Sequence, residues 1–329
     1  MPSSNPNRGR RRGNTNQNRT NNSNGRRNGD NDYIPVNPPK QGNIALPFFA
    51  YGIFKPGQLA YSRISEFVQN KYPDSIPYEM SYRDGVPLIL PDEDTNFFTQ
   101  GYLIYFKEGQ EREAYDIISE TEPINLYEWK KIKVGNNEAN VLMGKNVEKG
   151  CSPQNKMEYN PYYDGRNDPF FKEAIMLIER NLNKIKVKEK EKERYIPNVN
   201  DFFTLEMNYM LLWSAIERYS SLKYKFQGKG ENNKDFVKED SFQKAFKKYV
   251  HRTDTVHNAE KLYPKTLNSP NPRNQLACYI NSIQYYYTVR SNVVHRGKMI
   301  NMEDYNRLRL SLEELLLIFT DVLKDTFEE

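Results

Sequence analysis

Cysteine and histidine are scarce, with two of the first and three of the second in 329 residues. Cys151 and Cys278 lie far apart and form no CxxC pair. That excludes a disulfide framework and predicts free thiols in a reducing compartment. His251 and His257 flank Asp254 but lack a third partner at metal spacing, so neither a metal site nor a cofactor is expected. No apolar run approaches the roughly 20 residues that span a bilayer. The start of the chain lacks the apolar core of a secretory signal. Apolar residues make up only 37% of the chain, and the mean hydropathy is −0.89. The expectation is a cytoplasmic protein with no membrane contact.

The shortage of apolar residues is uneven. Residues 1–43 are mostly Asn, Arg, Gly, Ser and Pro, and seven arginines, Arg8 to Arg27, precede the first acid, Asp30. Such a segment cannot bury enough apolar area to offset its ordering entropy, so a disordered tail is expected. It reads either as a loose electrostatic arm for RNA or another polyanion, or as a solubilising tail. The net charge of +5 comes from 48 basic against 43 acidic residues. With the tail set aside, the remainder is close to neutral, so global charge does not mark a nucleic-acid-binding body.

Beyond the tail, Ala45 to Phe54 (ALPFFAYGIF) reads as a buried strand broken at Lys55-Pro56-Gly57. A helix is expected over 58–71, then a polar loop through the seventies and strands over 86–90 and 97–106. A helix over 110–121 precedes a hairpin of 127–134 with 139–143, turned at Gly135-Asn136-Asn137. The order of elements predicts a mixed α+β domain or small barrel.

Two motifs in this region carry a resemblance. FFAYGIFKPG resembles the YGxLxxG loop of the γ-glutamylcyclotransferase-like family, and IISETEPINLYEWKKIKV resembles that family's later pattern of an acid after a helix followed by Y-x-R-x-x-V-x-V. Gly101-Tyr102-Leu103 fits its central strand. The resemblance covers about residues 44–144. It implies a small mixed barrel over 44–150, in which Tyr51, Gly52, Ile53 and Phe54 offer backbone N–H groups to a substrate carboxylate. It places Glu122 as the catalytic acid/base in a sheltered cavity, where desolvation raises its pKa, and implies release of 5-oxoproline from γ-glutamyl compounds. Pro123 stands where the family usually has Gly, Trp129 where it usually has Arg, and Glu120 is a competing acid.

Residues 151–198 read as a connecting segment, with an amphipathic helix over 169–184 and an alternating charge run over 186–194. Residues 199–329 read as an all-α bundle, with long helices over 202–224, 275–292 and 301–326 and a shorter one over 241–250. MNYMLLWSAIERY, then TVRSNVVHRGK, then a final amphipathic helix resemble, in that order, the HEPN superfamily and its Apea-like members. Arg290 and His295 fall on that family's R-x4-H motif, with Ser291 and Asn292 as supporting residues. The resemblance implies a metal-independent endoribonuclease, a toxin or defence effector, built as a homodimer through the helical domain. RNA, tRNA included, would be the substrate, and the first domain would sense or regulate through a small-molecule or protein ligand.

The chemistry suits the residues. A histidine can move protons near neutrality, and an arginine can clamp phosphoryl oxygens in two places. Five residues on a straight helix, however, leave two side chains about 140° apart. The pair therefore needs the helix to end near Val294, as Gly297 would favour, or a second copy to complete the cleft. The intact Arg/His motif ranks the nuclease reading ahead of the cyclotransferase one. Purified protein is expected to cut total RNA or tRNA in EDTA, and Arg290→Ala and His295→Ala are expected to abolish the cutting. Undiminished cleavage by both variants removes that reading.

Overall fold

The computed structural model describes residues 34–83, 86–93, 97–145, 151–153, 165, 168–191, 195–224, 232–256, 275–296 and 302–327. The basic stretch 1–33, His257 and Gly297 lie outside them. The architecture is mixed α+β, with a sheet region first and a helical part after it.

The sheet region is built around β1 (Phe48–Ala50), which is buried throughout. It sits third in a five-stranded sheet of order β2-β5-β1-β7-β6. β1 runs antiparallel to β5 (Thr99–Phe106) and parallel to β7 (Asn137–Gly144). A strand covered on both faces should read as an unbroken apolar run, as this one does. β6 (Tyr127–Val134) and β7 form the expected hairpin, with Val134 opposite Asn137. Gly135 takes a φ of 55° in its turn, a conformation side chains disfavour. A second sheet has the order β4-β3-β8, from β3 (Tyr78–Arg83), β4 (Val86–Glu93) and β8 (Cys151–Pro153). α1 (Glu111–Thr121) buries Ala114, Tyr115 and Ile118, and carries Glu111 and Glu113 in its first turn, where the helix dipole favours acids.

Three local readings are corrected. The helix expected over 58–71 does not form. Two 3-10 turns, Tyr61–Arg63 and Ser65–Phe67, lead into β2 (Val68–Ile76), which takes up the expected loop of the seventies. β2 is an edge strand with mostly exposed side chains, held by its backbone pairing to β5. An edge strand needs neither apolar alternation nor freedom from proline, so Pro73 and its polar neighbours hid it. Residues 34–43, read from the sequence as tail, also pack. Val36 is buried, its N–H donates to the Glu122 carbonyl at 2.8 Å, and the Ile124 N–H donates to the Ile34 carbonyl at 2.9 Å. This strap pairs Pro35 with Pro123.

The helical part comprises, among the described residues, α2 (Glu173–Glu191), α3 (Val199–Lys223), α4 (Asn232–Phe236), α5 (Asp240–Tyr249), α6 (Tyr279–Arg296) and α7 (Met302–Phe327). α2 continues into the charge run. Lys188 reaches Asp201 at 2.6 Å, and Asp201 closes a capping box with Asn198 at the start of α3. α3 packs against α2, α4, α6 and α7, with Tyr209, Trp213 and Tyr219 fully buried. Among the described residues, no helix is long and apolar enough to cross a membrane.

The bundle interior also holds a charged network. The Arg252 guanidinium donates to both Glu314 oxygens at 2.8 and 2.9 Å and to Asp254 at 3.0 Å. Asp254 also accepts from Arg307 at 3.1 Å and from the Tyr285 hydroxyl at 2.6 Å. Asp254, which the sequence placed between two possible metal ligands, thus belongs to an ion-pair network. Its arginine and tyrosine partners hold its carboxyl below the usual range.

Gly101 marks the tightest backbone approach in the sheet region. A Cβ there would lie 2.5 Å from the Ala50 carbonyl oxygen and 2.6 Å from the Phe49 ring. Gly101→Ala is expected to destabilise by about 3 kcal/mol, the upper range for overpacking. Gly42→Ala, where nothing lies within 4 Å, is expected to change stability by less than about 0.5 kcal/mol. Urea denaturation of both variants checks the contrast.

Candidate functional site

The chain turns sharply after β1, and the residues of that turn open a cavity of about 360 Å³. Gly52, Ile53 and Phe54 line it together with Leu126, Leu142, Glu122 and Pro123. The Lys55 N–H returns to the Gly52 carbonyl at 3.1 Å and the Ala60 N–H to the Ile53 carbonyl at 3.0 Å. Those bonds occupy loop carbonyls. The backbone N–H groups of Gly52, Ile53 and Phe54 have no backbone acceptor among the described residues.

Glu122 follows the last residue of α1 and is extended, with φ −106° and ψ 130°. The helix therefore ends at Thr121, and the next side chain lines the cavity. The strap's hydrogen bond from Val36 fixes the backbone there. The Glu122 carboxyl has no cation beside it among the described residues, and desolvation pushes it up to about 8. The group is half-buried by surface area, because it lines a cavity. The shift follows from the scarcity of polar partners around it.

Two phenols frame this carboxyl. The Tyr51 hydroxyl donates to the Leu142 carbonyl at 2.7 Å, and the Tyr127 hydroxyl donates to the Pro87 carbonyl at 2.8 Å. Burial, reinforced by the nearby Glu122 charge, pushes both phenols well above their ordinary value. They stay protonated, and their protons are committed to backbone carbonyls.

The expected residues Tyr51, Gly52, Ile53, Phe54 and Glu122 thus share one cavity. Glu120 is exposed and does not line it. Trp129 packs edge-on against Tyr115 at 5.3 Å and Phe48 at 5.7 Å, and its indole N–H donates to Ser119 at 3.3 Å. Here an aromatic buttress fills a position where an arginine was the family expectation. Pro123 is the residue that pairs with the strap.

Two further contributors carry no local signal. Ser221 and Leu222, from the last turn of α3, line the same cavity. Arg63 links that turn to the acid's neighbour: its guanidinium donates to Thr121 Oγ1 and to the Lys223 carbonyl, the latter at 3.2 Å. These pairs are separated by many residues in sequence, so no local pattern exposes them.

The second expected pair lies on α6. Helix α6 runs to Arg296, the residue before Gly297. On that helix the Cα positions of Arg290 and His295 face directions about 140° apart. The His295 side chain lies outside the described residues. The Arg290 guanidinium lies over the Tyr287 ring at 5.7 Å, and its buried Nε has no acceptor among the described residues. Ser291 and Asn292 are buried, and Asn292 lines a small space of about 30 Å³ beside Phe202 and Arg307. Among the described residues, no group of three or more His, Cys, Asp or Glu could hold a metal ion. No family model, curated protein or solved structure matches this chain.

The raised Glu122 pKa makes stability depend on pH in a defined direction. The ordinary value is 4.5 and the folded value about 8, so the folded state holds the proton more tightly than the unfolded state. That contribution is complete below 4.5 and is lost as pH rises through about 8. The melting temperature is expected to fall between pH 5 and pH 9, and to fall less in Glu122→Gln. Parallel profiles for the two proteins would show that the carboxyl is solvated.

Proposed function

We propose that the sheet region is a cyclotransferase-type barrel that binds a γ-glutamyl compound and releases 5-oxoproline, with Glu122 as the acid/base. One observation carries the reading: a carboxyl without a cation, raised to about 8, shares a cavity with the loop Tyr51 to Phe54. A carboxyl tuned toward neutrality exchanges protons efficiently in both directions.

In the reaction the substrate's α-ammonium loses a proton to ionised Glu122. The freed amine attacks the γ-carbonyl carbon, closing a five-membered ring. The amide C–N bond then breaks as Glu122 returns the proton to the departing amine, and the ring nitrogen gives its remaining extra proton to that amine, which leaves as an ammonium. The loop N–H groups would hold a carboxylate or a developing oxyanion. An incoming ammonium also lowers the Glu122 pKa by supplying the charge the empty cavity lacks. The base is therefore generated when substrate arrives.

Wild-type protein with a γ-glutamyl amide is expected to release 5-oxoproline, with kcat/KM rising as pH passes through about 8. Glu122→Gln is expected to lose a factor of about 100 or more in kcat, the usual worth of a general acid/base. Full release by Glu122→Gln eliminates this reading.

The orphaned Arg290 Nε favours a second reading, the metal-independent endoribonuclease. A guanidinium suits phosphoryl oxygens, which it can bind in two places. With the two motif positions about 140° apart on one helix, such a site calls for a second copy to supply the opposite half. The EDTA-insensitive RNA cleavage described above tests it.

A further inference from the structure

We infer that the last turn of α3 selects the substrate's leaving group, so that the site takes γ-glutamyl amides of uncharged, apolar amines. The inference rests on the cyclotransferase reading of Glu122. Its ground is the division of the cavity between the two parts of the chain. Glu122 and the turn after β1 line it from the sheet region. Leu126, Leu142 and, from the helical part, Leu222 supply apolar wall, with Ser221 beside them. Ser221 is exposed and Leu222 half-buried, which puts this turn of α3 at the edge of the cavity. A leaving group extending from the reacting amide passes along that wall.

Two cations of the described residues around the end of α3 are already engaged. Lys223 is buried, and its ammonium donates to Glu239 at 3.0 Å and to the Tyr219 hydroxyl at 2.7 Å. Arg63 is committed to Thr121 and to the Lys223 carbonyl. Among the described residues lining the cavity, Glu122 alone is ionisable apart from the phenols Tyr51 and Tyr127. A leaving group that is itself an amino acid or peptide would bring a second carboxylate into this space without a cation to meet it, which is strongly unfavourable. An alkyl or aryl amine would instead bury apolar surface against Leu222, Leu126 and Leu142. The bond changes are those of the cyclisation already described, and the products are 5-oxoproline and the protonated amine.

The experiment compares γ-glutamyl-isopentylamide with γ-glutamylglycine, using the full chain and following 5-oxoproline. Wild-type protein is expected to favour the isopentylamide at least tenfold in kcat/KM. Ser221→Lys places a cation at the cavity edge from an exposed position, and is expected to cut that preference at least tenfold, mainly through KM for γ-glutamylglycine. Leu222→Ala is expected to raise KM for the isopentylamide and leave γ-glutamylglycine little changed, with thermal unfolding reporting whether the variant folds. Ser221→Lys decides the matter if Leu222→Ala does not fold. Equal use of both compounds by wild type, or a preference unmoved by Ser221→Lys, overturns the inference while leaving the cyclotransferase reading intact. No 5-oxoproline from either compound overturns that reading, and the inference with it.

Discussion

Arg63 makes the contact on which the joining of the two parts depends. Its guanidinium donates both to Thr121, the residue before the cavity acid, and to the carbonyl of Lys223, the residue after Leu222. The carbonyls of a helix's last turn lack partners within the helix, so a forked cation is a fitting cap for α3. The same cation holds the end of α1. Neighbouring contacts extend the joint: Leu59 belongs to the core of the helical part, and the Gly165 N–H donates to Gln58 at 2.8 Å. The cavity is therefore walled by both parts, although its chemistry lies in one.

A carboxyl placed in an apolar cavity without a cation keeps its proton toward neutrality and beyond. Glu122 illustrates the trade. The strap residues Ile34 to Val36 and the end of α1 hold its backbone on both sides, so the side chain is kept where solvation is poor. In a structural acid this placement would be a defect. In an acid/base it brings the pKa to the range where protons are exchanged.

The helical part presents a contrast between two charged groups. Arg252 is fully engaged by Glu314, Asp254 and Tyr285, and holds the bundle together. Arg290 lies over an aromatic ring with one buried nitrogen unmet among the described residues. Arg309 also has a buried Nε unmet by a hydrogen bond among the described residues, although it pairs with Glu313 at 2.9 Å.

Some features were legible in the residues alone. The apolar run around β1, the alternation and turn of the β6–β7 hairpin, and the spacing of α1, α3 and α7 follow from side-chain chemistry over a few neighbours. The position of Glu122 just after a helix is equally local, whereas Tyr51 to Phe54 read as strand and the structure ends β1 at Ala50. The edge strand β2 was not legible, because its order comes from the backbone of β5 and not from its own side chains. Neither was the packing of residues 34–36, which borrows partners from the segment after α1. Residue type alone could not distinguish Glu122 from Glu120. Only the folded chain makes one of them desolvated and the other exposed, because solvation depends on what surrounds a carboxyl in space. The same holds for Ser221 and Leu222: the sequence determined that they end a helix, and the tertiary structure decided that the helix ends at a cavity.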